Sequence, residues 1–130
     1  MSKPVTDEEF AKGRDVMKEV YGVQLLPDGA KPGIAPFLDE TVGHLFGDIW
    51  SRPGLSIRDR RLLVIGATAM LGRSDLIEVQ VFGALVNGEL DKASLAEVSL
   101  QLAFYAGWGN TTAVNTGIDA ALKRYSAQAK

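Results

Sequence analysis

The sequence predicts an all-α protein, a single-domain bundle of about six helices spanning residues 1–130. Three observations carry that expectation. Apolar residues recur at helical spacing along most of the chain. Capping residues, glycines and Asn-Gly pairs punctuate those stretches where helices begin and end. No segment shows sustained apolar–polar alternation bounded by hairpin turns, which a strand would need.

The elements follow in order. Thr6-Asp7-Glu8-Glu9 has the form of a capping box, in which the Thr6 hydroxyl accepts from the Glu9 amide and the Glu9 carboxylate accepts from the Thr6 amide. Phe10, Met17, Val20 and Tyr21 continue at helical spacing, and Gly22 is a stop. The prolines and glycines of Leu26 to Gly33 read as a loop. A second helix is expected from Pro36 to Trp50, with Leu38, Val42, Leu45, Phe46, Ile49 and Trp50 as its apolar stripe. Ser51-Arg52-Pro53-Gly54 ends it. Ser56 with Asp59 opens a third helix, whose run Leu62 to Leu71 is apolar almost all round and should be central, with Gly72 as its left-handed end. Ser74 and Asp75 start a fourth, closed by Asn87-Gly88. Asp91 opens a fifth, ending at Gly107. Asn110 is the expected N-cap of a sixth, through Val114, Ile118, Ala121, Leu122 and Tyr125.

Composition bounds the function. Of the residues, 46% are hydrophobic and 23% charged, a balance that builds a core and excludes a disordered or low-complexity chain. The net charge of -2 argues against a nucleic-acid binder or a polybasic membrane anchor. The absence of cysteine removes disulfides, thiolate nucleophiles and thiolate metal sites, and the single histidine disfavours a zinc site. The longest apolar run is about half a membrane span, and the polar stretch Met1 to Asp7 lacks the apolar region of a signal peptide. A cytoplasmic protein needing no cofactor is the expectation.

Four local oddities are candidates for chemistry. Gln80 interrupts an apolar helix face beside Ile77 and Ala84, so it either lines a pocket or makes a core hydrogen bond. Five arginines, Arg52, Arg58, Arg60, Arg61 and Arg73, cluster in an otherwise acidic chain. Arg58 and Arg61 are one turn apart and offer the paired donors a dicarboxylate needs, the alternative being a solvated face paired to Asp59 or Asp75. His44 has Glu40 and Asp48 each one turn away, which suits acid–base work or a run of surface pairs. Phe104-Tyr105-Ala106-Gly107-Trp108-Gly109-Asn110 puts aromatics and glycines at a helix junction, where they wall a pocket or simply turn the chain.

Three stretches then resemble the carboxymuconolactone decarboxylase family. They are Gly47-Asp48-Ile49-Trp50-Ser51-Arg52-Pro53-Gly54-Leu55, Arg58-Asp59-Arg60-Arg61-Leu62-Leu63, and Glu97-Val98-Ser99-Leu100-Gln101 continuing to Tyr105-Ala106-Gly107. Ala84-Leu85-Val86-Asn87-Gly88 falls between them at the family's spacing, and Glu8 to Val20 is similar to its first helix. The resemblance implies the AhpD-like helical fold of the wider alkylhydroperoxidase D-like superfamily. It implies a ring-like homo-oligomer, a hexamer or trimer. It also implies cofactor-free decarboxylation of a small cyclic organic acid, a carboxymuconolactone, in aromatic catabolism. The sequence departs at three places. The family's histidine falls at Gln80, the cysteines of the thiol-peroxidase branch fall near Arg73 and Leu76, and the proline after Tyr-x-Gly gives way to Gly109 behind Trp108. A thiol peroxidase is thereby disfavoured.

Such a reaction needs an oxyanion stabiliser, a carboxylate clamp and a proton donor. The expected catalytic residues are Gln80, His44 and Tyr105. The expected substrate-binding residues are Arg58, Arg61, Arg73, Trp50, Phe82, Trp108 and Asn110, the tryptophans and Phe82 forming an apolar wall. The alternative is a non-catalytic or retuned protein that binds small carboxylates on the same scaffold. Self-association is expected through the second and third helices, because Phe46, Trp50 and Leu62 to Leu71 supply a large apolar surface. No nucleic-acid or membrane partner is expected.

Overall fold

In the computed structural model, residues 3–128 are described, so Met1 and Ser2 of the polar N-terminal stretch lie outside the described residues. The described residues form six α-helices and no strand, so the fold is all-α as predicted. They divide between Ile57 and Arg58 into two compact units.

The first unit begins with α1 (Asp7–Tyr21), and its capping box is complete. Glu9 N donates to Thr6 Oγ1 at 3.1 Å and Thr6 N donates to Glu9 Oε1 at 2.9 Å. Those Thr6 donors also hold the Glu9 carboxyl below its ordinary value. Gly22 closes the helix at φ 74°, a conformation that costs a side-chain-bearing residue energy. The buried stripe Phe10, Gly13, Met17 and Val20 follows helical spacing. Gly13 has a specific duty. A Cβ there would run into the Val42 carbonyl, so only glycine lets the two backbones meet.

The expected helix from Pro36 to Trp50 is broken into three. A short α2 (Pro36–Glu40) passes into a π-helical stretch, Thr41–Phe46, and then a 3-10 turn, Ile49–Ser51. Gly47 N reaches back five residues to Val42 O at 3.0 Å, and a Cβ at Gly47 would run into the Gly43 carbonyl of the same wider turn. The break turns Val42, Phe46 and Trp50 into the core, while Leu45 points to solvent. Phe46 stacks on Trp50 with ring centroids 6.0 Å apart and touches Tyr21 at 5.5 Å. Phe46 and Trp50 are therefore core residues here, not the exposed contact surface the sequence suggested.

The second unit carries α3 (Ile57–Met70, all but its first residue), α4 (Ser74–Val86), α5 (Lys92–Ala106) and α6 (Trp108–Gln128). Its central helix is α4, not α3. Ile77 and the whole run Gln80 to Leu85 are buried, so α4 is covered on every side. Ile65 and Ala69 of α3, Leu95 of α5, and Val114, Ile118 and Ala121 of α6 complete the core. The α4–α6 crossing is close at Gly117, where a Cβ would come within 2.7 Å of Ser74 O and 2.8 Å of Ile77. By contrast Leu63, Met70 and Leu71 of α3 lie on the surface. Gly72 adopts the expected left-handed conformation, φ 65°. Asp91 caps α5 by accepting from Ser94 N at 2.8 Å.

Asn110 does not cap α6, which starts two residues earlier, at Trp108. Its Nδ2 instead donates to Ala106 O at 3.0 Å and Met70 O at 3.4 Å, tying the ends of α5 and α3 to α6. No helix among the described residues is long and apolar enough to cross a membrane.

Candidate functional site

Two helix faces in the second unit flank an open cavity of about 540 Å³. From α3 come Arg58, Leu62 and Ile65, spaced one turn apart. From α5 come Ser94, Glu97, Val98, Gln101 and Leu102, again on one helical face, and Leu90 closes the wall ahead of α5. The lining is thus an apolar trough with one cation, one carboxylate, one amide and one hydroxyl, a composition typical of small-molecule sites.

Arg58 is anchored without being consumed. Its Nε donates to Glu89 O at 3.2 Å, and its Nη1 is 4.0 Å from Asp59 Oδ1, at the limit of an ion pair. Half of its side chain remains exposed. Its fork is therefore placed to meet an anion entering the trough.

Arg61, one turn on, has a different fate. It is completely buried. Its Nε and Nη2 donate to the two Glu89 carboxylate oxygens at 2.6 and 3.1 Å, and its Nη1 donates to Gln80 O and Oε1 at 3.0 and 3.1 Å. Asn87 Nδ2 adds a further bond to Glu89 Oε2 at 3.1 Å. A buried guanidinium with this donor set filled is a packing device. Neither Arg61 nor Gln80 lines the cavity. The pairing of Arg58 with Arg61 as a double clamp is not what the structure builds, because helical rotation and burial send Arg61 inward to Glu89.

The other expected site residues are scattered. Phe82 is in the core, with the Arg124 guanidinium 4.1 Å from its ring centroid. Arg73 is on the surface and bidentate to Asp75 at 2.8 and 2.7 Å, an arrangement that holds the Asp75 carboxyl down to about 2. Tyr105 and Trp108 are 77% and 67% exposed, and Trp108 meets Phe104 edge to face at 5.5 Å. They form an outer patch and do not line the trough.

In the first unit, Trp50 is buried, and His44 is exposed with its Nδ1 3.2 Å from Glu40 Oε2. His44, Glu40, Asp48, Glu9 and Lys3 border a smaller hollow of about 260 Å³. The Asp48 carboxyl is held below its ordinary value by Arg52, which donates to it at 3.0 and 3.1 Å. No group of three or more His, Asp or Glu among the described residues is arranged to hold a metal ion.

Sequence reasoning identified Arg58 but assigned no role to Ser94, Glu97 or Gln101. A signal was present. The three sit at i, i+3 and i+7 of α5, a polar stripe running alongside the apolar Val98 and Leu102.

The fold and the trough define a class, a small all-helical protein with a mostly apolar cavity carrying one guanidinium. Residues 35–116 match the carboxymuconolactone decarboxylase family, and the chain belongs to that family. It is similar to the 4-carboxymuconolactone decarboxylase of Acinetobacter baylyi, at 37% identity over 78% of this chain and 77% of the relative. It is also similar to the nitrosuccinic acid decarboxylase npaB of Metarhizium robertsii, at 29% identity over 82% and 80% of the two chains.

Proposed function

We propose that this chain is a decarboxylase of a small organic acid, needing no cofactor, with a carboxymuconolactone as the first substrate to test. The observation that carries the reading is the trough itself, where the half-exposed fork of Arg58 stands against Leu62, Ile65, Leu90, Val98 and Leu102. Both relatives are named for decarboxylation, and the acids in those names share a chemistry. Each is a small polyacid with an electron sink, a lactone carbonyl or a nitro group, that can accept the pair released by carbon dioxide. Arg58 holds one carboxylate by charge-assisted hydrogen bonds. The apolar wall strips water from the carboxylate that leaves, whose charge is lost in the transition state. Gln101 and Ser94 supply neutral donors for the developing oxyanion. Purified protein should release carbon dioxide or bleach lactone absorbance with a panel of carboxymuconolactone, other butenolides, nitrosuccinate and β-keto acids. Rates equal to buffer with every member would end the decarboxylase reading.

A second reading is a carboxylate-binding protein without turnover, and one observation favours it. The resemblance places the family's histidine at Gln80, and that amide is engaged by Arg61 inside the core. Calorimetric binding of the same acids, unchanged on recovery, would support it. Turnover gained by Gln80→His alone would show a retuned enzyme. In either reading the chain forms a homo-oligomer, the hexamer or trimer that the resemblance implies. Leu63, Met70 and Leu71 of α3 and Phe104, Tyr105 and Trp108 near the α5–α6 junction are large apolar groups left on the surface. A single 14.0 kDa species in sedimentation would refute assembly.

A further inference from the structure

We propose that Glu97 is the acid that delivers a proton to carbon after carbon dioxide has left, an inference that rests on the decarboxylase reading of the same trough. In that reaction the bond from carbon to the carboxylate breaks and its electron pair moves onto the lactone carbonyl or nitro oxygen. Carbon dioxide departs, and the pair returns to carbon as a new C–H bond. The proton must come from a group that exchanges one.

Four polar side chains line the trough, and three of them cannot do this. Arg58 does not give up a proton, and the Ser94 hydroxyl and Gln101 amide do not exchange one as acids near neutral pH. Glu97 is the remaining one. It stands one turn after Ser94 and one turn before Gln101, on the face of α5 that forms the wall.

Glu97 is also uncommitted. Among the described residues no hydrogen bond or ion pair holds it, whereas Glu89 uses its carboxylate on Arg61 and Asn87. The charged groups lining the trough are Arg58, from α3, and Glu97 itself. The segment before α5 contributes Leu90 to the wall and the Glu89 carbonyl to Arg58. The helix packed on α5 from the other side, α6, meets it at Ser99, whose Oγ donates to Asn115 Oδ1 at 2.7 Å, and sends no charged side chain into the trough. Because Glu97 is exposed, water can reload it after each turnover.

The test runs the proton step alone. By microscopic reversibility, the carboxylate that remains after delivery can take a proton back from a product-like carbon acid. The probe is 3-nitropropanoate in D2O with the full chain, followed by proton NMR at the nitro-bearing carbon. The wild type should exchange those hydrogens roughly 100-fold faster than buffer. Glu97→Gln should fall to the buffer rate while 3-nitropropanoate still raises its melting temperature, and Glu97→Asp should recover part of the exchange. Wild-type exchange no faster than buffer, or Glu97→Gln exchanging as fast as wild type, overturns the proposal. The two readings fail separately. Exchange that depends on Glu97, with no carbon dioxide released from any acid, removes the decarboxylase and leaves the proton transfer. Equal carbon dioxide release by wild type and Glu97→Gln removes Glu97 and leaves the decarboxylase.

Discussion

The trough and the polar cluster beside it are joined by one residue and obey opposite rules. Glu89 offers its carbonyl to Arg58 and its carboxylate to Arg61. On the Arg61 side, Gln80, Glu89 and Asn87 answer one another, and no buried side-chain nitrogen or oxygen lacks a partner among the described residues. On the Arg58 side, a guanidinium fork and the Glu97 carboxylate face an open, mainly apolar space. The two arginines are one turn apart on the same helix, so residue type and neighbourhood do not separate them. What separates them is whether the charge is already answered. A buried charge must be, because an unpaired ion in the interior costs several kcal/mol, on the order of the whole stability of a small domain. A charge at a cavity wall stays wet until a ligand answers it.

The strongest way to break this comparison is at Arg61. Arg61→Met leaves the Glu89 carboxylate, whose side chain is only 12% exposed, without its cation. The expected cost is about 3–5 kcal/mol in a denaturant midpoint. Arg58→Met removes a charge of equal size from the wall and should shift the same midpoint by under about 1 kcal/mol, since exposed ionic contacts contribute little. Its loss should appear in kcat/KM, or in affinity for succinate, at about 1.5–3 kcal/mol, the worth of a hydrogen bond to a charged group. Equal stability losses in the two variants would erase the distinction between cluster and trough.

Much of this was legible in the sequence, for reasons that differ by residue. Thr6 with Glu9, Gly22, Gly72 and Asp91 were readable because capping is local chemistry, settled within a turn of the residue itself. The second helix misled because its pattern is helical to the end, while Val42, in the stretch where it widens, packs its carbonyl on Gly13, twenty-nine positions away in a chain read locally. The α3 run Leu62 to Leu71 looked central from its apolarity alone, yet α4 took the centre and left Leu63, Met70 and Leu71 outside. In the arginine cluster, Arg58 of α3 lines the trough. Its neighbour Arg61 was assigned to ligand because its partner Glu89 lies 28 positions on, and no spacing rule reveals that pair.

Gln80 offers a finer test. Gln80→Leu fits the apolar stripe and removes Oε1 as an acceptor for Arg61, while the Gln80 main-chain oxygen still accepts from the same nitrogen. The expected loss is therefore toward the lower end of about 1–3 kcal/mol. Affinity of the folded fraction for small carboxylates should be unchanged, because the residue does not line the trough. A variant of full stability that no longer binds would return Gln80 to the site and move the boundary between the two regions.

The smallest effect belongs to Arg73, the surface arginine that sequence reading also assigned to substrate. Hydrogen bonds from Arg73 hold Asp75 down from 3.8 to about 2 in the folded chain. A depressed carboxylate stabilises the fold above its unfolded value and loses that contribution as pH falls through the folded one. The window is therefore pH 3.8 down to about 2. Asp75→Asn should flatten the acid side of the stability curve within that window and leave the neutral side nearly unmoved, because both partners are exposed and screened by water and salt. The same substitution releases Arg73 from its partner at neutral pH. If Arg73 is a surface cation committed to Asp75, its release leaves kcat/KM for any accepted acid within about twofold, well under the tenfold that 1.4 kcal/mol represents. A larger rise would mean that the freed guanidinium reaches the substrate, and that Asp75 had been withholding a second clamp from the trough that Arg58 serves alone.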